Sequence, residues 1–263
     1  GDLTLTSRGD ISDGSYKAKN ALRVHTAKDG IISGGNFSGG TADITNAGKM
    51  SGGVYTAKET MGITNQGTIE NGKYTAHGDL TYTDTAEASL KDGTLISEEG
   101  KAKITAHGVL QIKKLSAKDN ATVEADHDVT LNEAEAGMLA ISSGGSVNAG
   151  TLTATTGDAK VTAKTDATIG TLKAEVGSAT VKATEGKLDV TTLNAKEHAA
   201  LTSGSAMEVT EVTAGTLAAE STAGSVKAGT LTAKTGEASV TAKTDATIGT
   251  LKAEAGSATV KAT

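Results

Sequence analysis

The chain has 263 residues and a formal net charge of −6, with 33 glycines but no proline, cysteine or tryptophan. Only five residues are aromatic, so burial must come from many small side chains and not from the large anchors of an ordinary globule. The absence of cysteine excludes disulfides, and the interspersed charges form no basic stripe that would suit nucleic acid or an anionic membrane.

Glycine-containing corners recur in the first third of the chain, and each corner comes just before an aromatic residue. Such corners need positive φ angles, which glycine, asparagine and aspartate adopt most readily. The pattern therefore predicts that each corner ends one strand and starts the next. The four corners are Ser12-Asp13-Gly14, Ser33-Gly34-Gly35, Ser51-Gly52-Gly53 and Glu70-Asn71-Gly72.

A short motif, an apolar residue followed two positions later by a small one, recurs along the whole chain in steps of 18 to 21 residues. This period is typical of a solenoid, in which equivalent residues of successive coils stack on one another. The apolar members form a first ladder, which begins with aromatic residues and continues with leucine. They are Tyr16, Phe37, Tyr55, Tyr74, Leu95, Leu115, Ala134, Leu152, Leu172, Leu193, Val212, Leu231 and Leu251.

Two further ladders keep the same period. The second is Leu5, Val24, Ile44, Ile63, Tyr82, Ile104, Val123, Ile141, Val161, Val181, Leu201, Ala219, Val240 and Val260. The third is Ile11, Ile31 or Ile32, Met50, Ile69, Leu90, Leu110, Val129, Val147, Ile169, Val190, Val209, Ala228 and Ile248.

Around these three apolar stations the pattern alternates with a period of two, as in Ala159 to Ala163, which indicates short strands. We therefore predict an all-β fold, a parallel β-helix of about 13 three-strand coils of roughly 20 residues. At a strand spacing of about 4.8 Å, the stack would be roughly 60 Å long.

The ladders predict one β-helix segment over residues 1–263, in three sections. Residues 1–82 form the aromatic-ladder coils, residues 83–144 are transitional, and residues 145–263 carry the Leu-x-Ala coils. The last section contains a duplication, because Gly145–Thr184 and Gly224–Thr263 agree at 35 of 40 positions when one is shifted by 79 residues. A shift of 79 corresponds to four coils, so the chain is expected to have grown by copying four coils together.

Segments such as Lys160 to Ala174 resemble the repeats of filamentous haemagglutinin and related two-partner-secretion exoproteins, and Asn65-Gln66-Gly67 resembles the N-x-G turns of that family. The resemblance covers nearly the whole chain and implies a right-handed β-helix. It also implies export through an outer-membrane secretion partner, and a secreted or outer-surface location in a Gram-negative bacterium. The function it implies is a non-catalytic shaft of a filamentous adhesin or, alternatively, the stick of a contact-dependent growth inhibition toxin-delivery protein.

No secretion domain, toxin, leader peptide or apolar run of membrane-spanning length is recognisable, and the chain stops within a repeat at Thr263. We therefore expect a piece of a longer protein. It is expected to be monomeric and without membrane insertion, and nothing in its residues identifies the receptor.

Two short polar motifs are candidate sites. Arg8-Gly9-Asp10 matches a cell-attachment tripeptide, but a bend of the coil accounts for the same residues, and this structural interpretation is favoured. Asp126-His127-Asp128 is the densest polar cluster. Since residues in a strand alternate in direction, at most two of its side chains converge, so a solvated corner is favoured over a metal site.

An enzyme is the rival class, because β-helices also carry polysaccharide-degrading sites, which need carboxylates aligned on adjacent coils. The recurrence of Lys164-Thr165-Asp166 as Lys243-Thr244-Asp245 spans four coils, so it does not place carboxylates together. We therefore predict no catalytic residues, no cofactor and no metal.

Overall fold

The structure, a computed structural model, describes every residue from Gly1 to Thr263, and all of its regular elements are β-strands. The chain divides into two compact units, unit 1 (Gly1–Ala134) and unit 2 (Glu135–Thr263). Each unit is a parallel β-solenoid, and together they contain about 13 turns that are about 20 residues apart. The predicted fold class is thereby confirmed, whereas the right hand implied by the resemblance stays a prediction.

Unit 1 begins with four coils of three short strands each, and two of its later strands are much longer. They are β1 (Leu3–Ser7), β2 (Asp10–Ser12), β3 (Ser15–Lys17), β4 (Ala21–Thr26), β5 (Ile31–Ser33), β6 (Asn36–Gly39), β7 (Thr41–Asn46), β8 (Lys49–Ser51), β9 (Val54–Ala57), β10 (Met61–Asn65), β11 (Thr68–Glu70), β12 (Lys73–Ala76), β13 (Leu80–Asp84), β14 (Ser89–Ser97), β15 (Ala102–Ala106) and β16 (Val109–Ala125). Strand β17 (Val129–Ser143) contains the boundary between the units.

Parallel pairing in unit 1 joins each strand to the equivalent strand of the next coil. Thus β1 pairs with β4, β4 with β7, and β7 with β10, with Leu5 opposite Val24 and Val24 opposite Ile44. Most inward residues are apolar and outward residues are mostly Thr, Lys and other polar types, so alternation along each strand separates the core from solvent.

The corners between the third and first stations adopt the predicted positive φ angles. Residues with positive φ there are Asp13, Gly14, Gly34, Gly35, Gly52, Gly53, Asn71 and Asp92. The last residue of the corner also lies against the aromatic ring two positions later: a Cβ atom on Gly14 would be 3.1 Å from the Tyr16 ring, and one on Gly53 would be 3.0 Å from the Tyr55 ring. These glycines are therefore needed both for backbone conformation and for ring packing.

The aromatic rings of the first ladder form a continuous stack in unit 1. Ring centroids of Tyr16 and Phe37 are 4.9 Å apart, those of Phe37 and Tyr55 are 4.5 Å apart, and those of Tyr55 and Tyr74 are 4.8 Å apart. The ring planes are within 10° of parallel. Leu95 then pairs with Tyr74 and continues the ladder, so like residues pack on like residues across the strands.

Unit 2 alternates strands of eight residues with strands of five or six. They are β18 (Val147–Ala154), β19 (Ala159–Ala163), β20 (Ala167–Ala174), β21 (Ala179–Ala183), β22 (Leu188–Ala195), β23 (His198–Ser203), β24 (Met207–Ala214), β25 (Thr216–Ser221), β26 (Val226–Ala233), β27 (Ala238–Ala242), β28 (Ala246–Ala253) and β29 (Ala258–Ala262). The long strands pair in the order β18, β20, β22, β24, β26 and β28, and the short ones in the order β19, β21, β23, β25, β27 and β29.

Two details of the prediction are wrong in unit 2. The coils have two strands and not three, because the third and first stations lie on one eight-residue strand, as Ile169 and Leu172 do on β20. The same two stations already share a strand late in unit 1, where Leu90 and Leu95 both lie on β14. In the third ladder, Ala149 and not Val147 pairs with Ile169, while Val147 pairs with Ala167. Both Val147 and Ala149 point inward, so apolar character alone favours the larger residue, whereas the smaller one is the member of the ladder.

Candidate functional site

Five polar residues end the second-station strands of unit 1 and point inward: Ser7, Thr26, Asn46, Asn65 and Asp84. Strand pairing places each one opposite the next, and all five are buried. We call them the polar column. A buried polar side chain is costly unless it is hydrogen-bonded, so the bonds of the column show what it holds in place.

Asparagine amides at the middle of the polar column bind neighbouring coils together. The Nδ2 group of Asn46 donates to Oδ1 of Asn65 at 2.8 Å and to the carbonyl of Thr68 at 3.0 Å. The Nδ2 group of Asn65 donates to the hydroxyl of Tyr82 and to the carbonyl of Ser89, both at 3.0 Å. The two side-chain amides thus donate hydrogen bonds to backbone carbonyl groups at the corner where the coil turns from the second to the third station.

Asp84 is the one charged residue of the polar column, and it is 3% exposed. Its Oδ2 atom accepts the Tyr82 hydroxyl at 3.0 Å, and its Oδ1 atom accepts the amides of His107 at 2.6 Å and Gly108 at 3.2 Å. Burial, with a smaller contribution from the Asp84 charge, raises the pKa of Tyr82 well above its usual value. The phenol therefore stays a proton donor to the carboxylate.

Arg8, Gly9 and Asp10 lie at the first corner beside the polar column, and all three are exposed. The Ser7 hydroxyl donates to the Gly9 carbonyl at 2.5 Å, and the same carbonyl accepts the amide of Ile31 at 2.9 Å. Arg8 and Asp10 make no ion pair within 4.0 Å. Arg8 and Gly9 thus form a hydrogen-bonded bend between β1 and β2, Asp10 begins β2, and both charged side chains of the tripeptide are exposed.

Asp126, His127 and Asp128 form an exposed corner between β16 and β17. The Asp126 carboxylate lies 2.7 Å from Nδ1 of His107, and this hydrogen bond, more than the simple charge attraction, raises the pKa of His107 above 6.5. No three His, Asp or Glu side chains are arranged to hold a metal ion. The cluster therefore contributes one carboxylate to a histidine of the preceding coil.

Aspartates at other corners accept backbone amides of the next coil. Oδ1 of Asp166 accepts the amide of Lys187 at 2.7 Å, and Oδ1 of Asp158 accepts that of Ser178 at 2.8 Å. Asp79 accepts the amide of Lys101 at 2.8 Å in the same way. The carboxylate of the recurring Lys164-Thr165-Asp166 segment thus links one coil to the next.

The sequence interpretation recognised Asn65 only as part of a turn and did not recognise the polar column. One signal was present: Asn46-Ala47-Gly48 and Asn65-Gln66-Gly67 have the same N-x-G form one coil apart.

The first-ladder residues pair in sequence order within each unit, for example Leu172 with Leu193 and Leu193 with Val212.

Compared with protein-family models, with curated proteins and with solved structures, the chain matches none of them. The structure contains no helix that is long and apolar enough to cross a bilayer.

Proposed function

We propose that this chain is a non-catalytic shaft segment of a secreted or surface-exposed filamentous adhesin, which holds binding or effector modules away from a bacterial cell. One observation carries the proposal. The duplicated segments form the same strands, since β18, β19, β20 and β21 have the bounds of β26, β27, β28 and β29 shifted by 79 residues. A copied group of four coils thus adds length without altering the pattern of pairing.

The energetics of stacking agree with a spacer role. In a solenoid each coil contacts only its neighbours, so stability is approximately a sum of coil and interface terms. Outward positions of unit 2 differ between the two copies, as at Asn148 and Lys227, while the inward residues are kept. Selection for length and a filled interior, with a variable surface, would produce this pattern.

The test is removal of residues 145–223, which joins Gly144 to Gly224 and restores the original order of stations. We expect a folded β protein whose unit 2 is shorter by four coils, or about 19 Å at the strand spacing. Circular dichroism and small-angle scattering measure both quantities. The matched control removes residues 145–214, which breaks the register and should unfold unit 2; equal behaviour of the two deletions would contradict the proposal.

The parent protein has two candidate forms, an adhesin and a toxin-delivery stick of contact-dependent growth inhibition. Both would be exported through an outer-membrane partner and both use a shaft, and the likeness to haemagglutinin repeats supports them equally. Genes that flank this segment in its genome distinguish them, because a toxin module with an immunity gene belongs only to the second. The enzyme alternative predicts turnover of polysaccharides, and absence of turnover on a panel of acidic and neutral polysaccharides would remove it.

Arg8-Gly9-Asp10 is a secondary hypothesis for attachment, supported by the exposure of Arg8 and Asp10 at the bend. The hydrogen bonds of this bend use the Gly9 carbonyl, which accepts two of them, but a Cβ atom at Gly9 would meet open space, so the bend requires neither a glycine nor the two charges. Attachment of cells to immobilised protein should be unchanged in the double variant Arg8→Ala, Asp10→Glu if the bend alone matters. A loss of attachment would favour the functional interpretation.

A further inference from the structure

A groove of about 550 Å³ lies on the surface of unit 1, across the first three coils. Its lining includes Lys17, Lys19 and Lys58, the hydroxyl-bearing residues Ser38 and Thr56, and Gly39. We call it the lysine groove. Its volume is in the range of pockets that hold small ligands.

The groove runs past a corner at which glycine lets two coils approach each other closely. Strand register places Lys17, Ser38 and Thr56, which all line the groove, at the same position of three successive coils. The backbone of Gly40 lies close to the preceding coil, since its amide donates to the Asn20 carbonyl at 2.5 Å. A Cβ atom at Gly40 would lie 2.7 Å from the Asn20 carbonyl oxygen, so the middle coil contributes only backbone at this corner, while Lys19 and Lys58 of the flanking coils line the groove.

The charge of the groove is not neutralised by the protein. None of the three lysines forms an ion pair within 4.0 Å, and all three are exposed. The single carboxylate of the lining, that of Asp2, is engaged by the Arg23 guanidinium at 3.3 Å and by the Ala21 amide. Those two contacts lower the pKa of Asp2, with the Ala21 amide contributing most.

From this geometry we infer that the lysine groove binds a small polyanion, either free or as the acidic end of a saccharide. Three lysines line one concavity, and their charges raise the local concentration of anions, although the chain as a whole carries a net charge of −6. The hydroxyls of Ser38 and Thr56 supply neutral hydrogen-bond donors between the charges. This binding activity goes beyond a spacer role.

Isothermal titration of the 263-residue protein at low ionic strength tests the inference, with citrate, inorganic tripolyphosphate and trigalacturonate as probes. We expect single-site binding that weakens as salt is added, because exposed charges are screened. The triple variant Lys17→Gln, Lys19→Gln, Lys58→Gln should bind at least tenfold more weakly. The matched control, Lys160→Gln, Lys164→Gln, Lys182→Gln, removes three exposed lysines of unit 2 and should leave binding unchanged.

The probes also distinguish the two sources of the ligand. Tighter binding of trigalacturonate than of citrate, lost when its carboxylates are methyl-esterified, would assign an acidic saccharide. Tighter binding of citrate or tripolyphosphate would assign a free polyanion. Absence of binding to all three probes, or an equal loss in the control variant, would overturn the inference, and circular dichroism verifies that each variant is folded.

Discussion

Tyrosine hydroxyls in the core of unit 1 differ in whether they have a partner. The hydroxyl of Tyr82 connects Asn65 to Asp84, whereas those of Tyr55 and Tyr74 are buried with no hydrogen-bond partner. Burial raises the pKa of both unpartnered tyrosines, so they remain neutral in the physiological range. A buried tyrosine hydroxyl therefore stabilises the fold where it is hydrogen-bonded, as at Tyr82, and costs free energy where it has no partner, as at Tyr55 and Tyr74.

Replacement of these tyrosines by phenylalanine should separate the two cases. Tyr82→Phe leaves the buried Asp84 carboxylate without one donor and should cost about 1–3 kcal/mol of unfolding free energy. Tyr74→Phe removes an unpartnered hydroxyl, so unfolding free energy should be unchanged or higher. Midpoints of urea unfolding measure both, and similar losses in the two variants would show that the Asp84 contact is not responsible.

His107 provides a test of pH dependence, because the Asp126 carboxylate raises its pKa above 6.5. A group whose pKa is higher in the folded state stabilises the fold fully at pH values below about 6.5. That stabilisation is lost as pH rises through the folded-state pKa. In Asp126→Asn the pKa of His107 should fall toward 6.5, as followed by the imidazole resonances in an NMR titration, and an unchanged pKa would contradict the contact.

At the scale of an element, some positions of the coil require glycine and others do not. Gly53 has a φ of +83°, and a Cβ atom there would lie 2.7 Å from the carbonyl oxygen of Gly34. Gly62, in strand β10, has open space around the position of a Cβ atom. The backbone thus requires glycine at position 53, whereas position 62 has room for a larger residue.

Gly53→Ala should lower the unfolding free energy by about 1–2 kcal/mol from backbone strain alone, with a further loss from the carbonyl contact. Gly62→Ala should be neutral or raise it by about 0.4–1 kcal/mol, since alanine restricts the unfolded chain. Thermal unfolding of the two variants gives the comparison. A smaller loss at Gly53 than at Gly62 would contradict the assignment of the corner.

At the scale of the whole molecule, cooperativity should vary along the stack, and the duplication supplies an internal control. Strand β20 pairs with both β18 and β22, whereas β28 has the same sequence but pairs with β26 alone. In a polypeptide of these 263 residues, amides of β28 should exchange at least about tenfold faster than those of β20. Hydrogen exchange with fragment analysis measures this, and equal protection would argue against stability as a sum of coil interfaces.

Much of the architecture could be predicted because it is encoded locally and repeatedly. Alternation in Ala159 to Ala163 indicates a strand, and recurrence every 18 to 21 residues indicates that strands stack. The choice between Ile31 and Ile32 could not be made from this period alone, because adjacent residues differ only in the face they occupy. In the structure Ile32 is buried and Ile31 is 37% exposed.

By itself, the sequence determined the parallel solenoid, its three apolar stations and its glycine corners, because a coil of about 20 residues can bury its apolar face only against a copy of itself. The tertiary structure decided which polar groups meet across coils: the amide of Asn46 with that of Asn65, His107 with Asp126, and Lys17 with Ser38 in the lining of the groove. These contacts depend on register. Coil length varies with each corner, and a shift of one position turns a side chain from the core to the surface.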